Sequence, residues 1–219
     1  AFAPRDLSFG FHTRWQEFFG YAMRLNTTEL ASLWHLPYGD GAPLVDLLIA
    51  EGAQVTVIGR QPPAASLAGH VAADLASPDG IARATGAVAE IAPHMLVCLA
   101  GAQYFGPFAD QPSVEIAAAY QVNLVAPAQL TQSALPGMLK RGSGHVLFAG
   151  SVFGAVPFAH FAAYSSAKAG LAALVQALRR EYDGRGITFT CAVPRAVRTP
   201  MASDAIRRFA DVAGFRFDA

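Results

Sequence analysis

Gly142-Ser143-Gly144-His145-Val146-Leu147-Phe148-Ala149-Gly150-Ser151-Val152-Phe153-Gly154-Ala155-Val156-Pro157-Phe158-Ala159-His160-Phe161-Ala162-Ala163-Tyr164-Ser165-Ser166-Ala167 carries no Asp, Glu, Lys or Arg. A stretch of this length and apolarity raises the question of a membrane span. Its Gly and Pro breakers, its two His and its several Ser argue against one, and its pattern changes midway. Residues 145–149 form a short apolar run, as expected of a strand buried on both faces of a parallel sheet, whereas the end of the stretch is Ala-rich and helical. The stretch therefore reads as strand, loop and helix. The same alternation extends to both sides. Strands are expected at 29–34, 54–58, 70–73, 95–100, 145–149 and 187–193, and helices at 42–51, 78–92, 112–139, 161–183 and 203–211. Short β-branched runs alternating with longer helical ones imply an α/β doubly wound parallel sheet in three layers.

With 219 residues the chain is long enough for one domain with a sizeable core. That domain is expected at 30–219, preceded by an aromatic-rich extension at 1–29 containing Phe2, Phe9, Phe11, Trp15, Phe18, Phe19 and Tyr21. Within the extension, residues 13–25 are patterned as an amphipathic helix that packs on the domain or on a second subunit, with a substrate lid as the alternative. Sixteen acidic and sixteen basic residues cancel, so the long-range field that draws a protein to nucleic acid or anionic lipid is missing. Cys98 and Cys191 each sit in an apolar run and read as small core residues rather than a disulfide or metal site. No charged segment followed by an apolar one opens the chain, and with those cysteines this suggests a cytoplasmic protein that binds no metal.

Tyr164 and Lys168 lie four apart in the Ala-rich run and so share a helix face, and Ser151 precedes the tyrosine by thirteen residues. A phenol exchanges protons at neutral pH only where a cation favours the phenolate, and Lys168 is the expected cation. The chain has only two Lys, Lys140 and Lys168, against fourteen Arg. An ammonium with a tunable pKa is thus used at this point against the chain's own habit.

Over roughly residues 30–201 these residues resemble the short-chain dehydrogenase/reductase family. Tyr164 and Lys168 match its Tyr-x-x-x-Lys, Ser151 its catalytic serine and Asn123 the asparagine of its proton relay. Ala100-Gly101-Ala102 resembles the end of its Asn-Asn-Ala-Gly, Asp74-Leu75 its adenine-binding Asp-Leu, and 194–200, with Pro194, Val197 and Thr199, its Pro-Gly-x-x-x-Thr-Pro. The resemblance implies a Rossmann-type domain that interconverts a ketone and an alcohol. Tyr164 would deliver the proton, Ser151 would hold the carbonyl oxygen, and Lys168 would tune Tyr164 and bond the cofactor ribose. Asn123 would anchor a water leading to Lys168. In this fold an acidic residue after the second strand binds the ribose of NAD, and an Arg accommodates the extra phosphate of NADP. Gly59-Arg60 at that point favours NADP(H) over NAD(H).

The departures from the family pattern fall on cofactor contacts. In its Gly-rich first turn Gly39 and Gly41 are kept, but His35 replaces the first glycine and Asp40 places a negative charge where pyrophosphate should sit. Leu99 replaces an Asn, and Arg195 a Gly. Residues 202–219 are shorter than the family's continuation through two helices and a seventh strand. The main expectation is an NADP(H)-dependent reductase acting on a hydrophobic carbonyl or alcohol, with a wall of Tyr104, Phe105, Phe108, Phe153, Val156 and Phe158. The alternative is a non-catalytic relative kept as a binding or assembly module. The Ala-rich, nearly uncharged runs 112–139 and 161–178, with the family's two-fold helix bundle, suggest a homodimer or homotetramer.

Overall fold

The computed structural model describes residues 30–33, 42–63, 68–194, 206 and 208, in which strands and helices alternate. β1 (Leu30–Leu33) is followed by α1 (Ala42–Ala50) and β2 (Val55–Gly59), and β3 (Gly69–Ala72) leads through α2 (Pro78–Ile91) to β4 (Met95–Cys98). Next come α3 (Ser113–Tyr120), a π turn (Gln121–Val125) and α4 (Ala126–Arg141). β5 (Gly144–Ala149), the short α5 (Val152–Ala155), α6 (Ala162–Glu181) and β6 (Ile187–Ala192) complete the described order. Residues 1–29, expected as an extension, lie outside the described residues. Of the helix expected at 203–211, only Ile206 and Arg208 are described, both as helical.

The strands pair in parallel in the order β3-β2-β1-β4-β5-β6. Their two-residue side-chain period divides the core between the faces of the sheet. Ile58, Leu96, Cys98, Val146 and Phe148 face one way and pack with Val88 of α2, Leu130 and Met138 of α4, and Leu171 and Val175 of α6. Val55, Val57, Met95, Val97 and Leu147 face the other way, against Leu44, Val45 and Leu48 of α1. Burying each such side chain contributes about 1.5–3 kcal/mol, enough to impose the register on both faces.

Local signals set the helix ends. Ser77 accepts a hydrogen bond from the Gly80 N–H at 3.1 Å, with Pro78 and Asp79 behind it, and so caps α2. Gly142 closes α4 at φ +68°, where a side chain would be strained. Chain order reverses between β1 and β4, so the strand ends open a crevice at their carboxyl edge. Arg60 follows β2, Leu99–Ala102 follow β4, Ser151 follows β5 and Pro194 follows β6, all on that edge. Among the described residues no helix is long and apolar enough to cross a membrane.

Candidate active site

Ser151 stands two residues beyond β5 in extended backbone and caps α5, its Oγ accepting the Phe153 N–H at 3.1 Å. Gly154 lets this one-turn helix lie against α6, since a Cβ there would come within 2.8 Å of the Lys168 carbonyl carbon. The close approach brings the Ser151 hydroxyl to the Tyr164 phenol, and it acts to lower the phenol's pKa. Lys168, one turn further along α6, holds its Nζ 5.8 Å from the centre of the Tyr164 ring. Three of the four expected chemical residues thus meet at the β5 edge.

Asn123 lies within the π turn and is fully buried. Its Nδ2 donates to the carbonyls of Ala102 at 2.6 Å and Ala119 at 2.7 Å, and its Oδ1 accepts the Ala102 N–H at 3.4 Å. The amide therefore ties the loop after β4 to the helix break. The expected helix 112–139 is accordingly interrupted: the extra backbone residue of a π turn frees the Ala119 carbonyl for a side chain.

Lys168 is 4% exposed, and its Nζ donates to the Ala149 carbonyl at 2.6 Å. Burial brings its pKa down to about 8. The neighbouring thiols give it no charge near neutrality, because burial pushes Cys98 up to about 12 and raises Cys191 as well. Burial also raises the Tyr164 phenol, and the Ser151 hydrogen bond works against that rise. Lys168 is expected to act on the phenol by its charge, and here it approaches the ring of Tyr164. Its ammonium is bonded to a backbone carbonyl above the ring rather than to the phenol oxygen.

The remaining expected contacts are spread along the crevice. Arg60 is exposed at the first residue beyond β2. Asp74 turns its carboxylate onto the Ala76 N–H at 3.0 Å, and Leu75 is a core residue. Ala100 is also buried in the core, so only its backbone and that of half-buried Gly101 face a ligand. Leu99, where the resemblance has Asn, packs against the α1 side of the core. Pro194 is half-buried, and its carbonyl accepts the Val152 N–H at 3.2 Å. His35, Gly39, Asp40, Gly41, Arg195, Val197 and Thr199 lie outside the described residues.

Of the expected wall, Phe108 and Val156 are exposed, at 59% and 55%, whereas Phe153 lies 5.1 Å from Phe158, centre to centre. Sequence reading missed the ring that organises this wall. Phe161, 1% exposed, stands 4.9 Å from Phe153, 5.1 Å from Phe105 and 6.5 Å from Tyr164. Its position three residues before Tyr164 was the one available signal. The Ala149 carbonyl that holds Lys168 left none, being backbone.

The donor set suits a dinucleotide. One Lys168 N–H is spent on Ala149, which leaves two for a ribose diol. Among the described residues no cluster of His, Cys, Asp and Glu could hold a metal ion.

A short chain dehydrogenase family model matches residues 38–208. A Danio rerio protein named dehydrogenase/reductase SDR family member 7B is 33% identical over 112 residues, 51% of this chain and 36% of that protein. Ketoacyl reductase HetN of Nostoc sp. is 35% identical over 111 residues, 50% of this chain and 39% of its own length. The matched part thus spans well under half of these curated relatives. Among solved structures, a short-chain dehydrogenase from Streptomyces avermitilis superposes with a TM-score of 0.71 at 26% identity, covering 80% of this chain and 68% of that one. A Beutenbergia cavernae protein assigned as an NAD(P) dependent gluconate 5-dehydrogenase, with NADP bound at low occupancy, gives a TM-score of 0.76 at 25% identity. It covers 86% of this chain and 81% of that one.

Proposed function

The chain belongs to the short chain dehydrogenase family, and from that premise we propose that it is an NADP(H)-dependent oxidoreductase interconverting a hydrophobic ketone and its secondary alcohol. The observation that carries the reading is the meeting of Ser151, Tyr164 and Lys168: a serine hydroxyl that lowers the phenol's pKa, with a buried ammonium 5.8 Å from the ring centre. In the reductive direction a nicotinamide dinucleotide, held at its ribose by Lys168, would supply the hydride that the carbonyl carbon takes. Ser151 donates a hydrogen bond to the carbonyl oxygen as negative charge grows there. Tyr164 passes its proton to that oxygen and is reprotonated from solvent, so that ketone, hydride and proton give the alcohol. Lys168 holds the ribose, and its positive charge stabilises the phenolate that Tyr164 becomes at that moment. A carbonyl substrate accords with a relative named as a ketoacyl reductase, and the phenylalanine wall supports an apolar one. Free Cys98 and Cys191 suit a reducing cytoplasm. A homodimer or homotetramer completes the proposal.

Titration of NADPH fluorescence, followed by a panel of hydrophobic ketones read at the nicotinamide absorbance, tests it. Binding and turnover are expected. Absence of NADPH binding favours the alternative, a non-catalytic binding or assembly protein. For the cofactor preference, Arg60→Ala is expected to bring NADPH affinity down to that of NADH, and equal affinities in the parent protein overturn the preference for NADP.

A further inference from the structure

Two non-glycine residues among those described have positive φ, Ala92 at 46° and His160 at 70°. Ala92 has a local reason, because it is the left-handed residue that ends α2 and donates its N–H to the Val88 carbonyl at 3.0 Å. His160 ends no helix. It precedes Phe161, the residue that opens α6, in a turn where glycine would take the same φ without cost.

Its carbonyl accepts the Gly106 N–H of the loop after β4 at 3.2 Å. The loop after β4 is thereby held at two points, by Asn123 at Ala102 and by His160 at Gly106. Any residue at this φ makes that bond, and glycine makes it best, so the backbone gives no reason for a histidine. The side chain does. Its ring lies 5.5 Å from Phe105, centre to centre, and begins a chain of rings that runs through Phe105 and Phe161 to Tyr164.

We propose that His160 is a substrate-positioning residue: its imidazole holds Phe105 and the 101–107 loop in place, setting the wall against which the apolar part of the substrate lies beside Tyr164. This rests on the reading of Tyr164 as the site of ketone chemistry. The His160 ring is placed on Phe105 rather than on Tyr164, so its proposed effect belongs to substrate fit.

The test compares His160→Asn, which tolerates the left-handed backbone but lacks the ring, with His160→Phe, which keeps a ring. In His160→Asn the KM for a hydrophobic ketone is expected to rise about threefold to tenfold, the loss of one ring contact. The kcat should stay within about twofold, NADPH affinity should be unchanged, and amide hydrogen exchange across 101–107 should quicken. His160→Phe is expected to return KM and exchange toward the parent. A His160→Asn protein with parental exchange in that loop overturns the proposal whether or not any ketone is turned over, and so does a parental KM. A parent that binds NADPH but turns over no carbonyl strikes the ketone reading, while the exchange comparison still decides the latch.

Discussion

Tyr164 meets Ser151 at its phenol end and Lys168 at its ring, so the three side chains should fail in different ways when replaced. Tyr164→Phe removes the proton donor and leaves the ribose contacts, so turnover is expected to fall by about 10²–10⁴-fold or more, with NADPH affinity nearly unchanged. Ser151→Ala loses one bond to the developing oxyanion, and its loss should fall on kcat, by roughly 10²–10³-fold. Steady-state kinetics beside a fluorescence titration separate the two. Lys168 makes a second kind of prediction, because its folded pKa of about 8 lies below the ordinary 10.5. Below pH 8 the native state must carry an ammonium in a dry site, whereas the unfolded chain carries it in water. The stability due to the neutral form is present above pH 10.5 and lost as pH falls to 8. At about 1.36 kcal/mol per unit this burial costs at most about 3 kcal/mol, with the Ala149 hydrogen bond set against it. Lys168→Met is therefore expected to raise the melting temperature at pH 7, to lose that advantage by about pH 10.5, and to abolish turnover. An unchanged melting temperature at pH 7 would contradict the assigned burial cost. These residues were legible in the sequence because their spacing is local to one helix and one strand end. The carbonyl that holds Lys168 and the buried ring of Phe161 were not, since neither a backbone atom nor an apolar residue in an apolar run is marked by its type.

The short helix α5 shows how little local sequence it takes to assemble the site. Its four residues place Ser151 only because Gly154 gives α6 room at the Lys168 backbone. Gly154→Ala would need a shift where the contact is backbone on backbone, and overpacking of that kind costs about 1–3 kcal/mol. The variant is expected to melt earlier and to lose kcat out of proportion to KM, because Ser151 moves away from Tyr164. Parental kcat in a folded Gly154→Ala protein would show that α5 does not set the place of Ser151 beside Tyr164. Elements of this kind were the hardest to read in advance. Strands such as β4, with every residue buried, announce themselves by apolar content, and α2 by its Ser77-Pro78 start. The region 112–139 has the composition of one helix, and nothing local marks the π turn at Gln121–Val125 except Asn123, an amide placed among apolar residues. Its break follows from a tertiary demand, the capture of Ala102 across the crevice.

In the molecule as a whole, the sheet order puts every expected contact that is described on one edge, while α3 and α6 present a flank away from that edge. The flank is joined across the two helices by a 2.7 Å hydrogen bond between Tyr120 Oη and Ser166 Oγ. Val114, 70% exposed, and Val125 also reach the surface, as do the small residues Ala162, Ala173 and Ala177 of α6. Small residues let helices approach closely, and exposed valines favour burial against a like surface. A two-fold contact there, helix pair on helix pair, would have to bury about 800 Å² per subunit to persist at micromolar concentration. Light scattering at micromolar protein is expected to give a mass of two or four chains. Val125→Glu, which puts a carboxylate into the contact and leaves Ser151, Tyr164 and Lys168 in place, should reduce the mass to that of one chain while NADPH still binds. A parent that scatters as a single chain, or a Val125→Glu protein that keeps the parental mass, would remove this flank as the interface and leave its valines as ordinary exposed apolar residues.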